Sequence, residues 1–311
     1  TGGAMQNDSI GAFYDRNDNI WSKIDTYGLS KTSNGTGCSS TEYTCTVVND
    51  PASNVDHGDY ALDNQNNPVI VYRNTVSNSI DFARYVGTGG TGCTGTTAWT
   101  CGVVSTLVAS VTLDIVIDSF NTAWIIYSSG GTSKDVLYAK YSGTGGTGCS
   151  GSTIWSCGTI SNKGINIALD SPYVFTNMTG DIFSVHSYTD NFLTPEVELC
   201  SSQNSITTTW NCYQRIDSTN INDNLYPLGG VFDASRNLKV AYFIENSGNY
   251  SINIATYVGT GGSGCTSAAW NCELVSTIET ADIIGDKNGG AWIDAAGNIT
   301  LSWINATDGS I

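Results

Sequence analysis

The stretch "YVGTGGTGCTGTTAWTCGVV" beginning at Tyr85 returns as "YSGTGGTGCSGSTIWSCGTI" from Tyr141 and as "YVGTGGSGCTSAAWNCELV" from Tyr257. Self-similarity at a fixed spacing constrains a chain more than local propensity does, because each repeat must bury its apolar face against its neighbours. The period is about 55 residues. A second signature keeps the same period: "ALDNQNNPVIVYRN" from Ala61, "VIDSFNTAWIIYSS" from Val116, "VFDASRNLKVAYFI" from Val231 and "WIDAAGNITLSWIN" from Trp292. A shifted copy, "FTNMTGDIFSVHSY" from Phe175, carries Asn177 where the others carry Asp.

Each of these signatures reads as strand, turn, strand. Asp63, Asp118, Asp233 and Asp294 open the turns, where a short carboxylate accepts hydrogen bonds from backbone amides two or three residues on. Flanking β-branched and aromatic residues supply the strands. A third alternating segment follows ("SIDFARYVG", "DVLYAKYSG"), then the glycine-rich loop, then a fourth strand such as "WTCGVV". Four short antiparallel strands per repeat give an all-β fold, a β-propeller of four-stranded blades.

The unit "LD-x-x-x-N-P-V-I-V-Y … IDFARY … W-x-C-x-V-V" resembles the repeat of secreted bacterial β-propellers, whose blades read roughly "LD-x-x-G-N-P-H-I-x-Y … L-x-Y-A … W-x-x-x-x-V". The resemblance covers essentially the whole chain and implies a scaffold rather than an activity. The paired cysteines depart from that repeat. The sialidase-type box S-x-D-x-G-x-T-W is absent, so glycosidase chemistry is not carried over.

The whole chain, 1–311, reads as one propeller domain with approximate repeats 11–50, 51–105, 106–161, 162–217 and 218–280. Two strands are read before the first cysteine loop and two more in 281–311. Five blades are favoured over six, closed by a joint blade in which a C-terminal strand completes the N-terminal set and leaves no open sheet edge. One strand is then in surplus. That strand, or Thr1–Ile10, offers a template for pairing with another subunit.

Ten cysteines fall into five local pairs, Cys38 with Cys45, Cys93 with Cys101, Cys149 with Cys157, Cys200 with Cys212, and Cys265 with Cys272. One pair per repeat makes five intra-repeat disulfides the economical reading. Zinc is disfavoured, since His57 and His186 lie outside the cysteine units. Such bridges persist in oxidising compartments, which places the chain outside the cell. The start of the chain has no initiator Met, basic n-region or apolar h-region, which fits a cleaved or trimmed chain. The disulfide is expected to tie down each glycine-rich loop. The aromatic two residues before each second cysteine (Tyr43, Trp99, Trp155, Trp210, Trp270) shares a strand face with it and covers the bridge.

Twelve Lys and Arg stand against 28 Asp and Glu, a formal charge of −16 that repels nucleic acid and anionic bilayers. No run reaches the length of a membrane-spanning helix. The GTGGTG runs lack the Lys-Ser/Thr of a phosphate loop and precede a strand. No nucleophile elbow or HExxH motif occurs. Asp56, Asp59, Asp114, Asp282 and Asp286 lie just before innermost-strand segments, where a cluster at the channel mouth could hold calcium, although no EF-hand spacing is present; His57 or His186 could also ligate a metal. No cofactor is otherwise expected. Asn7, Asn34, Asn177, Asn249, Asn298 and Asn305 begin N-x-S/T sequons open to glycosylation. The functional reading is a non-enzymatic extracellular binding or assembly module, by self-association or by contact with a surface glycan or protein, within a surface structure or filament. The alternatives are a lectin, and a carbohydrate-active hydrolase or lyase.

Overall fold

The computed structural model describes residues 55–303 apart from 95, 107–111, 130–134, 163–171, 190–194, 204–207, 218–222, 247–248, 279–288 and 294–298, together with strand segments within 12–47. No helix occurs among the described residues, and so none long and apolar enough to cross a membrane. The strands are β1 (Ala12–Tyr14), β2 (Ile20–Ile24), β3 (Gly28–Thr32) and β4 (Tyr43–Val47); β5 (Val55–Leu62), β6 (Pro68–Asn74), β7 (Ser79–Tyr85) and β8 (Trp99–Thr106); and β9 (Leu113–Ile117), β10 (Ala123–Ser128), β11 (Val136–Tyr141) and β12 (Trp155–Ser161). They continue as β13 (Tyr173–Thr176), β14 (Ile182–Thr189), β15 (Pro195–Ser202) and β16 (Trp210–Asp217); β17 (Asp223–Phe232), β18 (Leu238–Asn246), β19 (Asn249–Tyr257) and β20 (Trp270–Ile278); and β21 (Gly289–Ile293) and β22 (Ile299–Trp303). Each group is one antiparallel sheet in chain order, giving five four-stranded sheets and a sixth of two strands. This is the blade pattern of a β-propeller.

Two expectations are corrected here. Three strands, not two, precede the first cysteine loop, so β1–β4 complete a sheet from N-terminal residues alone. The two C-terminal strands pair with each other, and no joint blade forms among the described strands. The physical reason lies in the short β3, whose polar "GLSKT" carries too few apolar residues to be read as a strand, yet its backbone pairs on both sides, with β2 and with β4.

The chain divides into two compact units, residues 1–111 with 139–157, and residues 112–138 with 158–311. In the second unit the innermost strands β9, β13, β17 and β21 lie side by side in that order. Asp114 on β9 reinforces this row, its Oδ2 accepting the Val174 amide of β13 at 2.7 Å. The core of that unit runs through Phe175, Phe183, Val197, Leu225, Val240 and Trp270. In the first unit the loop bearing Cys149 reaches the end of β8, where Thr106 N donates to Ser150 O at 2.8 Å and Ser150 N to Ser105 Oγ at 3.2 Å.

The glycine-rich loop is more than a slack segment held by a disulfide. It extends the β7–β8 hairpin: Val86 N and Gly87 N donate to Ala98 O, Gly90 N to Thr97 O, and Cys101 N to Thr91 O. The same bonds recur at Ser142–Cys157 and Val258–Cys272. A Cβ on Gly90, Gly146 or Gly262 would lie 2.0–2.1 Å from the carbonyl oxygen of Trp99, Trp155 or Trp270. A Cβ on Gly92, Gly148 or Gly264, all left-handed, would lie 2.2–2.3 Å from the carbonyl oxygen of the following Cys101, Cys157 or Cys272. Only glycine permits that approach, which is why the glycines of the motif recur at the same positions in all three copies.

Four of the five expected disulfides are formed, Cys93–Cys101, Cys149–Cys157, Cys200–Cys212 and Cys265–Cys272. The side chains of Cys38, Cys45 and Tyr43 lie outside the described residues. Cys200–Cys212 is built differently, for it links directly opposed residues of β15 and β16 instead of tying a loop. In blades two and five the residue opposite the second cysteine is Ala83 or Ala255, and in blade one it is Ser30, so blade four places its first cysteine where these carry a small side chain. Trp99, Trp155 and Trp270 are buried, and Trp99 packs on Cys93 and Cys101 as expected. Each meets a tyrosine edge-on, at 5.3 Å for Tyr85–Trp99, 5.2 Å for Tyr141–Trp155 and 5.3 Å for Tyr257–Trp270.

Gly145→Ala forces a side chain into a left-handed residue that has open space around it, and should cost about 1–2 kcal/mol. Gly146→Ala drives a Cβ into backbone and should cost more, about 3 kcal/mol. Calorimetric melting of both variants checks the order, and equal costs would show that the loop repacks freely. Replacing Cys93 and Cys101 by Ser should lower stability by about 2–3 kcal/mol with the far-ultraviolet spectrum unchanged. Loss of that spectrum at room temperature would show that the bridge holds the fold as a whole.

Candidate functional site

The first turn of each described blade is organised by one side-chain oxygen. Asp63 Oδ1 accepts Gln65 N at 2.9 Å and Asn67 N at 2.8 Å; Asp118 Oδ1 accepts Phe120 N at 2.9 Å and Thr122 N at 2.8 Å; Asp233 Oδ1 accepts Ser235 N at 2.9 Å and Asn237 N at 2.8 Å. The amides lie two and four residues on, rather than two or three. In blade four Asn177 Oδ1 takes the same two bonds, from Thr179 N at 3.0 Å and Asp181 N at 2.9 Å. There the acid and the amide have exchanged places. Asn67 and Asn237 donate Nδ2 to Asp63 and Asp233, whereas Asn177 donates its own Nδ2 to Asp181 at 2.8 Å.

The remaining oxygen differs by blade. Asp63 Oδ2 accepts Arg84 Nη2 at 2.5 Å, and Asp118 Oδ2 accepts the Trp124 indole at 3.0 Å. Burial raises the Asp63 pKa, but bonds from Arg84, Asn67 and Gln65 outweigh it and hold this carboxyl below its usual range. The Asp233 pKa is also lowered, first by the Asn237 side chain, with smaller contributions from the Asn237 and Ser235 amides and the charge of Lys239.

Because the amides on either side are pinned, the third residue after the Asp or Asn is left-handed: Asn66 (φ 63°), Asn121 (φ 64°), Gly180 (φ 84°) and Arg236 (φ 67°). Asn and Gly tolerate this conformation; an arginine there is held at a cost of about 1–2 kcal/mol. An outlier kept against local preference points to function. Arg236 and Asn237 stand on the rim of a cavity of about 280 Å³ lined also by Phe183, Leu199, Phe232, Leu238 and Tyr257. Phe183 and Phe232 meet edge-on at 5.0 Å, and Phe183 stacks on Phe175 at 5.4 Å. Tyr257 is braced by the buried Trp270. The result is an apolar, aromatic hollow with one cation and one amide at its edge.

The sequence candidates distribute elsewhere. His186 is buried on β14, its Nε2 at 3.0 Å from Glu198 Oε2, which also accepts Ser161 Oγ at 2.7 Å. Their ligand atoms lie within 4.8 Å of the Cys200 sulfur, but that sulfur is bonded to Cys212 and offers no thiolate. Asp114 is engaged on the backbone, its Oδ1 accepting Ile115 N at 3.0 Å and its Oδ2 accepting Val174 N at 2.7 Å. Asp59 lies on β5; the side chains of Asp56, His57, Asp282 and Asp286 lie outside the described residues, as do Asp294 and the sequons at Asn7, Asn34, Asn298 and Asn305. Asn249 is exposed at the start of β19, while the Asn177 amide is engaged in its turn.

None of the cavity residues was singled out from sequence. The available signal was Arg236, at the repeat position where the other copies carry Asn66, Asn121 and Gly180.

No protein-family model matches the sequence, and no curated protein matches it. Solved structures do match. A mutant of AofleA from Arthrobotrys oligospora is 9% identical, covering 91% of this chain and 74% of that one at a TM-score of 0.54. A protein of unknown function from Dyadobacter fermentans is 10% identical, covering 82% and 76% at 0.53. The Aleuria aurantia lectin in complex with Fucalpha1-6GlcNAc is 10% identical, covering 93% and 84% at 0.51. At such identities the likeness establishes the β-propeller fold alone.

Arg236→Gly relaxes the left-handed residue and should leave the protein as stable as wild type or more stable, by up to about 1 kcal/mol. Denaturant unfolding monitored by tryptophan fluorescence checks this, and a clear loss of stability would mean that Arg236 supports the fold rather than the cavity.

Proposed function

We propose that the protein is a non-catalytic, extracellular binding module that takes a sugar ring into the cavity bounded by Phe232, Tyr257 and Arg236. The carrying observation is the cavity's two-sidedness, aromatic and leucine walls beneath a rim bearing Arg236 and Asn237. A pyranose has an apolar C–H face and a polar edge, so this surface complements both. The described lining residues include no Asp, Glu, His, Ser or Cys, so they do not supply the carboxylate pair of a typical glycoside hydrolase. Four disulfides accord with an oxidising compartment. The shared fold with a lectin that was solved with a bound disaccharide supports the reading.

Tyr257 recurs as Tyr85 and Tyr141, and Asn237 recurs as Asn67, but Phe232 and Arg236 are not repeated. Where blade five has Phe232 and Arg236, blade four has Thr176 and Gly180 and blade three has Ile117 and Asn121. The proposal is therefore for this one cavity, not for a set of identical sites.

The test is a screen of the intact protein against an array of neutral and acidic glycans, followed by calorimetry on the hits. Binding should appear without release of reducing ends, and Tyr257→Ala should weaken it about tenfold, as loss of one aromatic contact implies. Tyr257→Phe, which keeps the ring, should stay near wild type. A protein that binds nothing on the array, or that cleaves what it binds, overturns the proposal.

A further inference from the structure

We infer that the sugar taken by this cavity is acidic, a single ring carrying a carboxylate or sulfate that pairs with Arg236; this rests on the sugar-binding reading above. The argument begins from the donor and acceptor inventory of the lining. Neutral sugar hydroxyls both donate and accept, so a site shaped for them needs strong acceptors among its polar groups. Among the seven described lining residues the one ionised side chain is Arg236, and none of them is a carboxylate. The nearest acid in sequence, Asp233, is already engaged by Ser235 N, Asn237 N and Asn237 Nδ2, and the cation that acts on it is Lys239. Arg236 is an exposed residue, and its guanidinium makes no hydrogen bond or ion pair among the described residues. It presents a planar fork of donors suited to two oxygens of one anion.

Size and net charge narrow the ligand further. A cavity of about 280 Å³ lies at the small end of ligand sites and suits one ring rather than an extended chain. The protein as a whole carries −16, which repels a dense polyanion. One acidic ring, free or at the end of a glycan, meets the local cation without bringing many like charges to the surface.

The test titrates the intact protein, by calorimetry or by its NMR spectrum, with two matched pairs: methyl glucuronide against methyl glucoside, and galactose 6-sulfate against galactose. Sodium sulfate is titrated alone. At least one acidic member should bind tenfold or more tightly than its neutral partner and than sodium sulfate. Which pair shows the preference identifies carboxylate or sulfate as the anion. The preference should vanish in Arg236→Gly and survive in part in Arg236→Lys. Equal binding of acidic and neutral rings overturns the inference while leaving the sugar site standing. So does acid preference that persists in Arg236→Gly, or inorganic sulfate binding as tightly as the sulfated sugar. Failure of every sugar in these titrations, together with a blank glycan array, overturns the sugar-binding reading as well.

Discussion

One oxygen accepting two backbone amides is the interaction from which the rest of each described blade follows. Asp63, Asp118, Asn177 and Asp233 each hold the amides two and four residues on, closing the hairpin between the first and second strands. With that turn closed, the register of the hairpin is set, and the apolar alternation of the second and third strands falls on the faces that pack against neighbouring sheets. It also forces the intervening residue into the left-handed region. Whatever side chain stands there is displayed at a defined place, and in blade five it is Arg236.

The repeat is conservative where backbone meets backbone and free elsewhere. Gly146 cannot change because the Trp155 carbonyl occupies the space a Cβ would need. The turn tolerates exchange of chemically paired groups, as when blade four swaps its acid and amide between positions 177 and 181. The disulfide tolerates a new origin, since Cys200 takes the place of an alanine and bridges straight across to Cys212. In each case the retained quantity is a bond or a distance, and the residue letters vary around it. Variation collects at positions that the scaffold leaves free, and Phe232 and Arg236 line a hollow at positions where blade four carries Thr176 and Gly180 and blade three Ile117 and Asn121.

The electrostatics of the molecule run on two scales. The −16 net charge acts over about a Debye length and disfavours polyanions. At the rim of the cavity the nearest charge is that of the exposed Arg236, and at contact distance a single cation outweighs charges farther away.

The amino-acid sequence by itself determined the all-β class, the repeat, the four strands per blade, the turn-opening role of Asp63, Asp118 and Asp233 and four of the five cysteine pairs, because these depend on spacing and local chemistry. It also contained the glycine pattern, although the reason for it, carbonyls at 2.0–2.3 Å from any added Cβ, required the loop to be seen lying on the fourth strand. Only the tertiary structure decided that β1–β4 complete their own sheet, since pairing between strands is not written in the composition of the short polar β3. Only it brought Phe183 and Leu199 of one blade to Phe232, Arg236 and Tyr257 of the next. The cavity is made by residues distant in sequence, and no periodicity within a blade records which side chains will face one another between blades.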